Sequence, residues 1–237
     1  MIDLNQIVEH FLDEAIRQCR NGGSKDEAVI RSLNDRIEST EVRRSELLKW
    51  LWYHGVLQGL HKADRNAVAS AIVEFADARV ASSCPTTEEE IIKKFDDLYG
   101  RCSSKVRLKK DHTPRSLVSL TSKALWCCYP DSIPLFDAYS QRALWILSRL
   151  MGLERSPQAL PPYHRFVSLW LNLYRCVERT IGDGDRLGGY PYKVRVFDRI
   201  LWIIGEPDYG ESSGQATNAP QTARWSITRA AIAANRG

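Results

Sequence analysis

Lys123 and Asp137 are the two residues of this chain whose types and spacing offer the most chemistry. They stand fourteen places apart in Ser119-Leu-Thr-Ser-Lys123-Ala-Leu-Trp-Cys127-Cys-Tyr-Pro-Asp-Ser-Ile-Pro134-Leu-Phe-Asp137. A lysine attacks as a nucleophile only after losing its proton. At the reference pKa of about 10.4, only about one amine in 2,500 is neutral at pH 7, whereas burial near other cations disfavours the charged form and would lower the pKa by several units. Such cations stand just upstream, where Arg101, Lys105, Arg107, Lys109, Lys110 and Arg115 face a single acid, Asp111. The stretch from Lys105 to Arg115 is equally suited to gripping phosphates. Asp137 follows Pro134 and opens a helical pattern, where its carboxylate would accept bonds from exposed amides and be held in place.

If the lysine segment is helical, steps of 100° bring Ser116, Ser119, Leu120, Trp126 and Cys127 to the side of Lys123. That side is small, polar and aromatic, and with Phe136 it makes a candidate substrate pocket of Cys127, Trp126 and Phe136. Plainer roles stand beside these. A lysine on an amphipathic helix commonly snorkels to the surface, an aspartate at a helix start commonly only caps it, and Cys127 and Cys128 pack as small apolar residues. Arg195, Asp198, Arg199 and Trp202 form a second helical cluster, which a salt bridge over a packed tryptophan would explain.

The elements that must hold these residues are helices almost throughout. Ile2, Ile7, Phe11, Ala15 and Ile16, then Ala28, Ile30, Leu33 and Ile37, recur at helical spacing. Leu47, Leu48, Leu51, Trp52 and Val56 read as one buried face, followed by Ala67, Ala71, Ile72, Phe75 and Ala76. Thr87 with three glutamates behind it is a helix start running to about Tyr99. Thr113-Pro114 reads as a cap for the helix carrying Lys123, ended by Tyr129-Pro130. Further helices are predicted at about 137–151, 163–181 and 192–204, with Trp145, Trp170 and Tyr174 in the core. No alternating strand pattern occurs, so the predicted class is all-α.

The 237 residues are 43% apolar and 26% charged, which excludes a disordered or low-complexity chain. The net charge of +4 is unevenly spread: residues 1–100 hold 13 basic and 18 acidic side chains, and residues 101–237 hold 20 and 11. The expected organisation is an acidic helical subdomain over 1–100, a basic one over 101–205, a cleft between them, and a flexible tail over 206–237 with a short helix near Trp225–Ala234. The second half is the one suited to a polyanion. Six cysteines, none in C-x-x-C spacing, imply neither a structural zinc nor any other metal. The polar N-terminus and the lack of an 18-residue apolar run point to a cytoplasmic protein with no membrane partner and free cysteines.

The Lys123 and Asp137 pair resembles the lysine and aspartate of the helix-hairpin-helix DNA glycosylases, especially the 8-oxoguanine DNA glycosylase (OGG) branch, over roughly residues 86–205. Cys127, four places after the lysine, is similar to that branch's pocket cysteine, and Pro134-Leu-Phe-Asp137 is similar to the family's P-x-D. The resemblance implies an all-helical glycosylase fold that binds DNA and extrudes a nucleotide. Lys123 would attack the sugar and form a Schiff base, Asp137 would stabilise the charge developing there, and no cofactor would be needed. The S-K-x-L then P-x-x-x-P-x-x-D pattern is similar to divergent OGG-fold proteins of bacterial anti-phage defence operons, which implies partner proteins from such an operon. The family's L-P-G-x-G-x-K hairpin carries Ser119 and Thr121 at its two glycine positions here. A catalytically inactive module that binds nucleic acid or a protein partner is therefore the alternative, and an enzyme of free nucleosides or small carbonyl compounds fits the same two side chains.

Overall fold

The computed structural model describes residues 3–35, 37–79, 84–109, 115–153, 161–182 and 185–206. Among them are eight α-helices and no strand: α1 Leu4–Asn34, α2 Thr40–Tyr53, α3 Lys62–Ala78, α4 Glu88–Ser103, α5 Val118–Cys128, α6 Ala138–Leu150, α7 Pro162–Ile181 and α8 Lys193–Gly205. The chain is all-α, and no helix of the described residues is long and apolar enough to cross a membrane. The structure groups residues 22–135 into one compact unit, and residues 1–21 with 136–237 into another. This division follows contacts, whereas the division at residue 100 followed charge. The expected tail helix near Trp225 lies outside the described residues.

In the unit of residues 22–135, α5 is central. Every residue from Leu120 to Cys128 is buried, so this helix has no solvent face. Its last carbonyls, which no intrahelical amide can reach, are met by side chains from elsewhere. Asn34 Nδ2 donates to Cys127 O at 3.2 Å, and the Arg79 guanidinium donates to Cys128 O and to Asn34 Oδ1. A cation at the negative end of the helix dipole adds to the hydrogen bonds. Arg43 does the same for α1: its Nε and Nη2 donate to Ser32 O and Leu33 O at 2.9 and 3.2 Å, and Nη1 pairs with Asp77 at 2.7 Å. Thr87 and Glu90 form a full capping box on α4, and the amides of Thr86 and Thr87 hold the Glu90 carboxyl below its usual range.

Three expectations about apolar faces fail. Trp50, not Trp52, enters the core of α2: it is 2% exposed, donates Nε1–H to Asp26 at 2.8 Å, and stacks on Trp126 with centroids 5.7 Å apart. An indole that finds both a carboxylate acceptor and a ring partner outcompetes its neighbour two places on. Ile37 lies beyond the end of α1 and is exposed, and Trp145 is exposed with Arg149 over its ring at 4.8 Å. The helix bearing Lys123 starts at Val118 without a side-chain cap, so Ser116 is outside it and exposed; Thr113 and Pro114 lie outside the described residues.

In the other unit, α6 and α8 pack against each other at Gly205. A β-carbon there would stand 1.9 Å from the carbonyl oxygen of Tyr139, so only glycine permits this approach. Arg142 Nη1 donates to Gly205 O at 3.1 Å, and Trp202 meets Tyr139 edge-on at 5.5 Å. Trp170, Tyr174 and Phe197 form an aromatic cluster beside them, with ring centroids 4.6–5.5 Å apart.

Candidate functional site

Lys123 sits at the middle of α5 and is 5% exposed. Its Nζ donates to Ser119 Oγ at 3.0 Å, one turn back, so the predicted Ser119 side of the helix is the side the amine occupies. Ser122 Oγ turns to Ser119 O at 3.1 Å, which leaves the Ser119 hydroxyl to the lysine. Lysine is among the residues least often found at this depth.

The residues following it are core. Trp126 is fully buried on Trp50, and Cys127 is fully buried with its carbonyl held by Asn34. Burial pushes the Cys128 thiol up to about 11, against the opposing pull of Arg79 and Arg43, and pushes that of Cys102 to about 12. Neither thiol is a nucleophile at neutral pH. Thr121 is fully buried as well.

Asp137 caps α6 as its position predicted. One carboxylate oxygen, Oδ1, accepts from Tyr139 N at 2.9 Å and Ser140 N at 2.8 Å. The backbone at Asp137 is extended, with φ −150° and ψ 173°, the usual geometry for a residue entering a helix. Both bonds go to Oδ1, so Oδ2 has no part in the cap. The turn that fixes Asp137 is the one Gly205 presses on through Tyr139. Phe136 precedes it, half-buried, with its ring edge-on to Phe166 at 5.1 Å and to Tyr163 at 6.4 Å. Lys123 belongs to the unit of residues 22–135 and Asp137 to the other, and the chain passes between them at Leu135–Phe136.

The described part of the basic run that follows α4 is exposed from Lys105 to Lys109 except at half-buried Val106. Lys105, Arg107 and Lys109 are exposed and Arg115 is half-buried; Lys110 lies outside the described residues. Arg107 returns to the start of α3: Nε stands 3.3 Å from Asp64 Oδ1, and the Arg107 amide donates to Asp64 Oδ2 at 3.4 Å. Arg115 Nη1 lies 3.7 Å from where a β-carbon of Gly59 would be, in the turn between α2 and α3. That turn carries Gly59 at φ +79°, a conformation that favours glycine.

Two residues stand in surroundings that their helical spacing does not predict. Asp198, expected in a salt bridge over a packed tryptophan, is 2% exposed, and its Oδ1 accepts from Trp170 Nε1 at 2.8 Å. Its negative charge, after burial itself, holds the Tyr163 hydroxyl well above the usual phenol range. Trp52 was assigned to the core and instead stands 58% exposed with Arg65 4.8 Å over its ring. The signal for the first was tryptophan and aspartate on separate apolar helices, and for the second an apolar pattern already complete with Leu47, Trp50 and Leu51.

Two open surface depressions lie in the unit containing α6–α8. One of about 350 Å³ is lined by Asp13, Ile16, Arg17, Arg20 and Asn21, and one of about 460 Å³ by Asn5, Gln6, Glu9, His10 and Thr180. Neither includes a residue of the predicted site. Among the described residues no group of three or more histidine, cysteine, aspartate or glutamate side chains is placed to hold a metal ion. Comparison with protein-family models, with curated proteins and with solved structures finds no match to this chain.

Proposed function

We propose that this chain is a DNA glycosylase or glycosylase/lyase-like protein acting on a flipped nucleotide, with Lys123 as nucleophile and Asp137 as its electrostatic partner. The observation that carries this reading is the placement of Lys123, an amine 5% exposed on a helix whose residues from Leu120 to Cys128 are all buried. Burying an amine is costly, and a fold that does so in its central helix gains most when the amine is used. Asp137 supports the reading because two backbone amides fix its carboxylate, as preorganised charge requires. In the reaction, Lys123 Nζ would bond to the anomeric carbon as the bond to the base breaks. Asp137 would offset the positive charge on the sugar; the departing base would take the bonding pair and one proton from nitrogen, and a second proton would pass to the ring oxygen as the ring opens to leave a Schiff base. The basic stretch from Lys105 to Arg115 would hold phosphates, and a role in bacterial anti-phage defence belongs to the same resemblance.

Borohydride trapping tests this reading. Duplexes containing 8-oxoguanine or an abasic site are incubated with the protein and reductant. A covalent adduct from wild type and none from Lys123→Gln is the expected result; no adduct from wild type, or an equal one from the variant, refutes it. A second reading, a catalytically inactive module that binds nucleic acid or a protein partner, is favoured by Ser119 and Thr121 at the hairpin glycine positions. Ser119 already accepts a bond from the Lys123 amine, and Thr121 is fully buried rather than offering its amide to a phosphate. Binding that survives alanine at both Lys123 and Asp137, with no adduct, selects this reading.

A further inference from the structure

On α2, Leu47 and Leu51 are fully buried and Trp50 is 2% exposed, while Trp52 is 58% exposed, the most exposed of the large apolar residues of this helix. Its indole is held in place, because the Arg65 guanidinium lies 4.8 Å from the ring centroid and is itself anchored by Nε donating to Leu60 O at 2.9 Å. Other cations gather at the start of α3, the helix that carries Arg65. Lys62 is exposed at the start of α3, Arg107 reaches the same helix start, and Arg115 approaches Gly59 in the turn before it. Asp64, at the same helix start, is 6% exposed at its side chain and pairs with Arg107, which keeps 66% of its own side chain in solvent.

We infer that Trp52, Arg65, Lys62, Arg107 and Arg115 form a binding surface for single-stranded nucleic acid, the indole stacking one base while the four cations track the backbone. A flat aromatic ring accepts any unstacked base on its face, and a duplex offers no such base. Arginine beside the ring adds cation–π attraction and binds phosphate through its remaining N–H groups. The charge complementarity selects a polyanion, and the ring selects one that carries bases. This surface rests on the reading of the Lys105–Arg115 stretch as phosphate-binding, and requires nothing of Lys123.

Fluorescence anisotropy with a fluorescein-labelled twelve-nucleotide oligo(dT) and with a twelve-base-pair duplex, over a salt series, tests it on the full chain. Wild type is expected to bind the single strand more tightly than the duplex. Trp52→Ala is expected to weaken single-strand binding about ten- to hundredfold, and Trp52→Phe to restore most of it. Arg107→Gln with Arg115→Gln should reduce the slope of log K against log salt by about 1.4, two phosphate contacts at about 0.7 each. Circular dichroism of each variant confirms folding, which a surface indole does not control. Unchanged affinity in Trp52→Ala, duplex preferred over single strand, or binding to phosphatidylserine vesicles but not to oligo(dT) overturns the inference. If Trp52→Ala is silent while the double arginine variant weakens binding, the phosphate-binding reading survives alone; if neither nucleic acid binds, both fall.

Discussion

Replacing Gly205 by alanine tests how α6 is held and, through it, how Asp137 is held. The added β-carbon would stand 1.9 Å from Tyr139 O, 2.6 Å from its carbonyl carbon and 3.0 Å from its α-carbon. All three are backbone atoms, so no rotamer change relieves the clash. An ordinary carbon–oxygen contact is about 3.3 Å, so the end of α8 must retreat by about 1.4 Å. Overpacking of this kind costs about 1–3 kcal/mol. The retreat also strains the Arg142 bond to Gly205 O at 3.1 Å, a charge-assisted bond worth about 1.5–3 kcal/mol. Higher helix propensity returns at most about 1 kcal/mol. The net loss is about 3 kcal/mol, or a fall in Tm of about 6–12 °C for a chain of this size. Calorimetry measures the first effect. Amide exchange at Tyr139 and Ser140, the two donors to Asp137, measures the second, and both amides should exchange faster in the variant. An unchanged or higher Tm, with those two amides as protected as before, would falsify the close-packing argument.

Other outcomes follow from the same geometry. Asp137→Ala should lose about 1 kcal/mol of stability with its cap, whereas Asp137→Ser should melt within a few tenths of wild type; if the proposed chemistry holds, both lose the borohydride adduct, and a trapping-competent Asp137→Ser would leave Asp137 a cap and nothing more. In the native protein, Cys84 and Cys176 are exposed and should react with iodoacetamide at pH 8 well before Cys102 and Cys128, which labelling and mass spectrometry will order. Because Cys102 and Cys128 ionise near 12 and 11 when folded but near the ordinary 9.0 when unfolded, the unfolded state binds fewer protons above pH 9 and stability falls as pH rises. By pH 10 each thiol contributes about 1.4 kcal/mol to that loss, and denaturant melts of Cys102→Ala between pH 8 and 10 should show a shallower fall. Trp50→Phe leaves the Asp26 carboxylate without its indole donor and should cost about 2 kcal/mol, read from the midpoint of urea unfolding; a cost near zero would mean the bond is not formed.

What the amino-acid order determined by itself was local. The all-helical class, the Thr87 start of α4, the Asp137 cap of α6 and the Ser119 side of Lys123 all follow from interactions within about four residues, where spacing along the chain equals neighbourhood in space. The tertiary structure decided what depends on partners remote in sequence. Trp50 displaced Trp52 from the core because Asp26, 24 residues earlier, and Trp126, on another helix, both meet its indole. Helical periodicity names a face, but which of two nearby aromatics lies at its centre is set by what the face packs against. Gly205 carried no signal, since its role is the closeness of Tyr139 from a different helix. The burial of α5 from Leu120 to Cys128 was likewise invisible, because its sequence mixes lysine, serine and threonine with apolar residues; only the helices packed around it, and the side chains of Asn34 and Arg79 closing its end, remove it from water.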